Sequence, residues 1–137
     1  MRVSPHLTFD GQCKSAFLAY QRILGGDVLT MLTYGESPMA STVDKQWHDH
    51  ILHATLTLGD IELTGADTSA QGFTKPQGFF ITLSFNSLDK AKAVFEALSE
   101  QGEVHLPFGE AFWSPGYGVV TDCFGTPWEV NAVQAIP

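Results

Sequence analysis

The sequence predicts an α+β fold in which one βαβββ module is written twice, with helices on the outer face of mixed sheets. Three observations carry this. Short segments alternate apolar and polar residues as half-buried strands do, and two longer segments space their apolar residues as amphipathic helices do. The two kinds follow one another in the same order in each half, and Phe9–Val28 lies without gaps on Phe85–Val104. A period of about 75 residues is too long for a solenoid repeat and points to an internal duplication. We therefore expect a single domain, 1–137, with module one at about 1–68 and module two at about 78–137.

In the first module, Ser4 to Phe9 sets Leu7 and Phe9 against His6 and Thr8, and Asp10-Gly11 ends this strand. Ala16, Phe17, Tyr20, Ile23 and Leu24 form a helical stripe over 12–24, stopped by Gly25-Gly26. Asp27 to Tyr34 reads as a strand, followed by a Gly-, Ser- and Pro-containing loop over 35–46 that could act as a lid. Ile51 to Leu58 turns through Gly59-Asp60 into Ile61–Thr64, a two-residue hairpin by its chemistry. The polar stretch from Ala66 to Gln77 connects the modules.

The second module restarts the pattern. Phe79 to Phe85 is a strand, and Leu88, Ala91, Val94, Phe95 and Leu98 mark a helix with Asn86 or Ser87 as N-cap. Val104–Phe108, Tyr117–Thr121 and Trp128–Val133 are strands, with an aromatic turn over 112–116. A turn built on Asp122 and Gly125 delivers the last strand, where Trp128 and Val130 face one way and Glu129 and Asn131 the other.

Composition narrows the function classes. Of 137 residues 44% are apolar, enough for a packed core, and 15 acidic against 7 basic residues give a net charge of -8. No Lys/Arg cluster tracks a phosphate backbone, so neither nucleic acid nor an anionic membrane is an expected partner. No apolar h-region or bilayer-length run occurs, and Cys13 and Cys123 lack disulfide or metal spacing. The expectation is a cytoplasmic protein with two reduced thiols.

The helices need an apolar surface, which Leu7, Phe9, Leu56, Leu58, Ile61, Leu63, Ile81, Leu83, Phe85, Trp128 and Val130 supply. The opposite face carries His6, Thr8, His53, Thr55, Thr57, Glu62, Thr64, Thr82, Ser84, Glu129 and Asn131, with Phe80 among them. In a flat sheet these are the wet side; in a curved one they line a cavity.

The order βαβββ twice, Pro5–Phe9 (PHLTF), Asp60–Thr64 (DIELT) and Thr121–Val130 (TDCFGTPWEV) resemble the vicinal oxygen chelate superfamily of glyoxalase I, fosfomycin-resistance and bleomycin-resistance proteins. The likeness covers essentially the whole chain. Phe112-Trp113 leading through Thr121-Asp122-Cys123-Phe124-Gly125 to Trp128 is similar to the PhnB-like branch. The resemblance implies cupped sheets that form a cavity for a small-molecule ligand, commonly in a homodimer. It implies metal ligands at His6, Glu62 and Glu129, able to hold one divalent ion such as Zn, Mn, Fe or Ni. The fourth ligand position departs from the family, with Phe80, or Thr82 in the gapless alignment, in place of His.

Two functions compete, beside a blander third in which the pocket is vestigial, Phe80 fills its floor and the chain is a structural dimer. In one, a metal chelates vicinal oxygens of the substrate for lyase, isomerase or transferase chemistry and Glu129 or Glu62 moves a proton. In the other, a metal-free dimer sequesters a small molecule, and His6, Glu62 and Glu129 are hydrogen-bonding groups. His53 is either a fourth ligand or a structural residue, and His48 and His50 are expected at an exposed edge. Phe112 and Trp113 either border the pocket mouth or pack the turn. Some members of this branch carry a methyltransferase label, yet no strand leads into a glycine-rich loop and an acidic ribose ligand.

Overall fold

The computed structural model describes residues 1–68 and 72–133, so 69–71 of the connection between modules and the last four residues lie outside it. The chain divides into two compact units, Met1–Lys75 and Pro76–Pro137. Each has a four-stranded mixed sheet with one helix on it, which is the α+β architecture of two βαβββ modules.

In the first unit the sheet runs β1 (His6–Phe9), β4 (Ile61–Asp67), β3 (Ile51–Leu58) and β2 (Asp27–Thr33), with β1 and β4 parallel and the others antiparallel. Helix α1 (Cys13–Leu24) packs on it, burying Ala16, Phe17 and Tyr20 over Leu7, Phe9, Leu56 and Leu63. Gly65 admits the helix: a Cβ there would lie 2.6 Å from the Phe17 ring. Gln12 makes no side-chain cap. Instead Asp67 reaches from β4 to accept the Cys13 amide at 3.0 Å on one oxygen and the Ile51 amide at 2.8 Å on the other. The fourth strand is three residues longer than its local alternation predicts, because Gly65, Ala66 and Asp67 pair with Leu7, Thr8 and Phe9 far back in the chain. Ile61 shares the helix-side register but is 57% exposed at the end of its strand.

The segment 35–46 is folded rather than open. It carries 3-10 turns at Ala40–Thr42 and Lys45–Trp47, and its base is tied by Tyr34 and Gly35 amides donating to the His50 and His48 carbonyls. His48 and His50 are half-buried, not exposed: His48 Nε2 lies 2.9 Å from the Ala40 carbonyl, and the His50 ring packs 4.2 Å from Trp47.

The second unit repeats the plan as β5 (Ile81–Phe85), β8 (Pro127–Ala132), β7 (Ser114–Thr121) and β6 (Glu103–Ala111) in spatial order, with β5 and β8 parallel. Helix α2 (Leu88–Ser99) begins at Ser87, whose hydroxyl accepts the Lys90 amide at 3.1 Å. It buries Ala91, Val94, Phe95 and Leu98 over Val120, Trp128 and Val130, with Phe95 seated on Gly118. Phe79 and Phe80 precede β5 and are about half exposed, so the predicted strand starts two residues late. The predicted turn over 112–116 contracts to Phe112-Trp113, because the Ser114 hydroxyl and the pairing of Gly116 with Ala132 draw 114–116 into β7.

The turn before β8 is set by one buried side chain. Asp122 accepts the Phe124 and Thr126 amides on Oδ1 at 2.9 and 3.0 Å and the Trp128 indole N–H on Oδ2 at 2.8 Å. Gly125, at φ 96°, closes it. Trp128 is thereby locked into the core, and its neighbour Glu129 must face the other way. Among the described residues no helix is long and apolar enough to cross a membrane.

Candidate functional site

Strand register places the chemistry-bearing residues. On the open face of the first sheet, His6 stands opposite Thr64 and Thr64 opposite Thr55, while Glu62 pairs with Thr57 and His53 lies two residues before Thr55. Thr8 shares the face and is half-buried. His6 Nδ1 is 2.7 Å from the Thr64 hydroxyl, which also reaches the Pro5 carbonyl at 3.4 Å. Though His6 is exposed as a whole residue, burial of part of its ring, and then the nearby His53, hold its pKa below the usual imidazole value. His53 is exposed and its Nε2 lies 3.3 Å from the Thr55 hydroxyl. The half-buried Glu62 meets the exposed Arg2 guanidinium at 3.6 Å, a solvent-screened pair with little effect on stability.

On the open face of the second sheet, Thr82 and Ser84 pair with Glu129 and Asn131, and Tyr117 pairs with Asn131 from the other side. Glu129 is held at both oxygens: Thr82 donates to Oε1 at 2.8 Å and the Tyr117 phenol donates to Oε2 in a short contact. The hydrogen bond to Glu129, then burial, then the carboxylate charge push the Tyr117 pKa up to about 12. Asn131 Oδ1 is buried without a hydrogen-bond partner. The Trp113 ring stands edge-on to Tyr117 at 5.0 Å and to Phe112 at 4.7 Å. Phe112 is 99% exposed, so packing of the turn does not account for it.

The sheets also say which positions correspond. With Phe9 laid on Phe85, the pair Leu7–Gly65 matches Leu83–Val130, and so His6–Thr64 matches Thr82–Glu129. Both are first-strand-to-last-strand pairs closed by a hydrogen bond, with the ionisable group on opposite strands. Thr82 is thus the counterpart of His6, while Phe80 lies outside β5; Glu62 sits two residues before the counterpart of Glu129. Tyr117 is the residue that sequence reading missed, although alternation along Tyr117–Thr121 puts it on the face of Glu129.

As a metal chelate, the donors within either unit fall short. Among the described residues no group of three His, Cys, Asp or Glu could hold an ion. A groove of about 420 Å³ lies on the helix side of the second unit between α2 and β6, over Phe95, Val104, Pro107 and Phe108, away from the face of Glu129.

Comparison with known proteins places the fold in a family. The family model described as 3-demethylubiquinone-9 3-methyltransferase matches residues 1–131. Protein YjdN of Escherichia coli is 32% identical over 145 residues, covering 100% of this chain and 99% of that protein. The crystal structure of PA1353 from Pseudomonas aeruginosa is 36% identical with a TM-score of 0.88, covering 98% of this chain and 99% of that one. A Bacillus cereus PhnB protein, a putative 3-demethylubiquinone-9 3-methyltransferase, is 21% identical with a TM-score of 0.81 over 98% of this chain and 100% of that one, a likeness of fold. The chain belongs to the 3-demethylubiquinone-9 3-methyltransferase family.

Proposed function

We propose that this protein binds a small molecule on the open face around Glu129, and that binding rather than turnover is its basic activity. The observation that carries this is the anchoring of both Glu129 oxygens by Thr82 and Tyr117 on the sheet face opposite α2. A carboxylate fixed in advance loses little entropy when a ligand arrives. Its oxygens offer about four acceptor positions, of which the two hydroxyls use two, leaving room for donors on a ligand. A thermal-shift screen of small metabolites, repeated on Glu129→Gln and Thr82→Ala, tests the reading. Ligands that stabilise the wild type and both variants equally would remove Glu129 from it.

A second reading adds metal-assisted chemistry and is favoured by His6. Its Nδ1 is taken by Thr64, and a ring oriented through one nitrogen can offer the other to an ion, with Glu62 on the same face of the same sheet. In that reading His6 and Glu62 are protein ligands of one Zn, Mn, Fe or Ni ion, with oxygens of the substrate completing its shell. Elemental analysis after reconstitution decides it: no retained ion, or equal retention in His6→Ala, sinks it. We further propose a homodimer working in the cytoplasm; light scattering behind gel filtration reads the former, and a single-chain mass overturns it.

A further inference from the structure

We infer that the β6–β7 hairpin tip and Glu129 together form a receptor for an organic onium cation, a quaternary ammonium or a sulfonium. The inference rests on the reading that small molecules bind at Glu129, and it names their class.

Three observations meet in the second unit. The two-residue turn presents Phe112, 99% exposed, and Trp113, 50% exposed, where water-facing aromatic rings gain nothing for the fold. These rings continue into the sheet: Phe112 to Trp113 at 4.7 Å and 84°, Trp113 to Tyr117 at 5.0 Å and 73°, and the Tyr117 phenol onto Glu129. Near-perpendicular packing uses the edge of one ring against the face of the next, so ring faces remain open to a ligand. Finally, both hydrogen bonds to Glu129 come from neutral hydroxyls, and the ion pair among the described residues, Arg2–Glu62, does not involve it.

The combination selects the ligand. Aromatic faces carry negative potential, and beside them stands a carboxylate with no Lys, Arg or His paired to it among the described residues, so the field favours positive charge. The aromatic surface in turn favours a cation with an apolar rim over a strongly hydrated small ion, which is the description of an onium group. A net charge of -8 draws such cations toward the protein.

Two matched probe pairs test this by NMR titration of the full 15N-labelled chain, followed at the Trp113 indole N–H. Choline is compared with its neutral isostere 3,3-dimethylbutan-1-ol, and S-adenosylmethionine with S-adenosylhomocysteine, which lacks the sulfonium charge. We expect at least one onium probe to shift Trp113 saturably and to bind about tenfold more tightly than its neutral partner. Glu129→Gln should bring the two partners level, and Phe112→Ala, at a fully exposed position, should weaken the cation in an otherwise unchanged spectrum. The pair that responds separates ammonium from sulfonium. If neither cation outbinds its neutral counterpart on the wild type, the inference is overturned. A neutral ligand that needs Glu129 while both cations fail would overturn it and leave the small-molecule reading standing.

Discussion

Replacing Asp122 removes the pivot on which the last strand turns. Its carboxylate, 6% exposed, accepts the Phe124 and Thr126 amides and the Trp128 indole N–H, all within 3.0 Å. In Asp122→Ala the half-buried Phe124 amide regains water, whereas the Thr126 amide and the N–H of the fully buried Trp128 lose the carboxylate acceptor where water is excluded. Each buried hydrogen bond lost in this way costs about 1–3 kcal/mol, so the loss should be about 2–6 kcal/mol. Asp122→Asn keeps an acceptor for the two amides but turns an amide N–H toward the indole N–H, and should cost about half as much. Urea unfolding with a check on the slope measures both. Because the turn aims Glu129, Asp122→Ala should also loosen the Tyr117–Glu129 contact and return the phenol toward its ordinary titration. The reasoning fails if Asp122→Ala costs less than about 1 kcal/mol, or if Asn is as damaging as Ala.

Three other outcomes are expected. Tyr117 is held near pH 12, above its ordinary value of 10.0, so the folded state keeps a proton that the unfolded state gives up. Its contribution is complete below pH 10 and fades as pH rises through 12; ultraviolet difference titration of wild type and Tyr117→Phe should locate one late-titrating phenol, and its absence contradicts the bond to Glu129. His6 titrates below 6.5, so its share of stability is present above that pH and is lost as pH falls through its lowered value. In His53→Gln the NMR midpoint of His6 should rise only part of the way back, since burial is the larger cause; full recovery reverses that order. Gly118→Ala puts a methyl 2.6 Å from the Phe95 ring and should cost about 1–3 kcal/mol by thermal or urea unfolding, while a neutral result means α2 is free to lift.

The architecture was legible because its signals are local. Local apolar patterning located the eight strands of the described residues, helical apolar spacing with glycine stops located the helices, and the gapless match of Phe9–Val28 with Phe85–Val104 exposed the duplication. What local patterns missed are the ends decided by distant partners: β4 runs on to Asp67 because β1 is beside it, and Ser114–Gly116 joins β7 because Ala132 takes the bonds. The same limit applies to the candidate site. Alternation put His6, Thr64, Thr82 and Glu129 on the open faces, but only register shows that they form two matching pairs, and only the side-chain geometry brings Tyr117 to Glu129. The folded segment over 35–46 hid its order behind a polar composition, since the groups that tie it down are backbone carbonyls and imidazoles eight or more residues away.

The hold of Asp67 on the start of α1 has a practical side. Cys13, whose amide it takes, is fully buried, and burial followed by the Asp67 charge pushes the thiol up to about 12. A thiol that is neither ionised nor reachable does not react with alkylating reagents. Cys123 is exposed in the turn that leads to Glu129, and burial first and Asp122 second raise its thiol pKa, so its labelling calls for alkaline conditions. The native chain thus carries one selective attachment point, where a fluorophore would ride on the turn that aims Glu129 and report ligand arrival without any engineered cysteine.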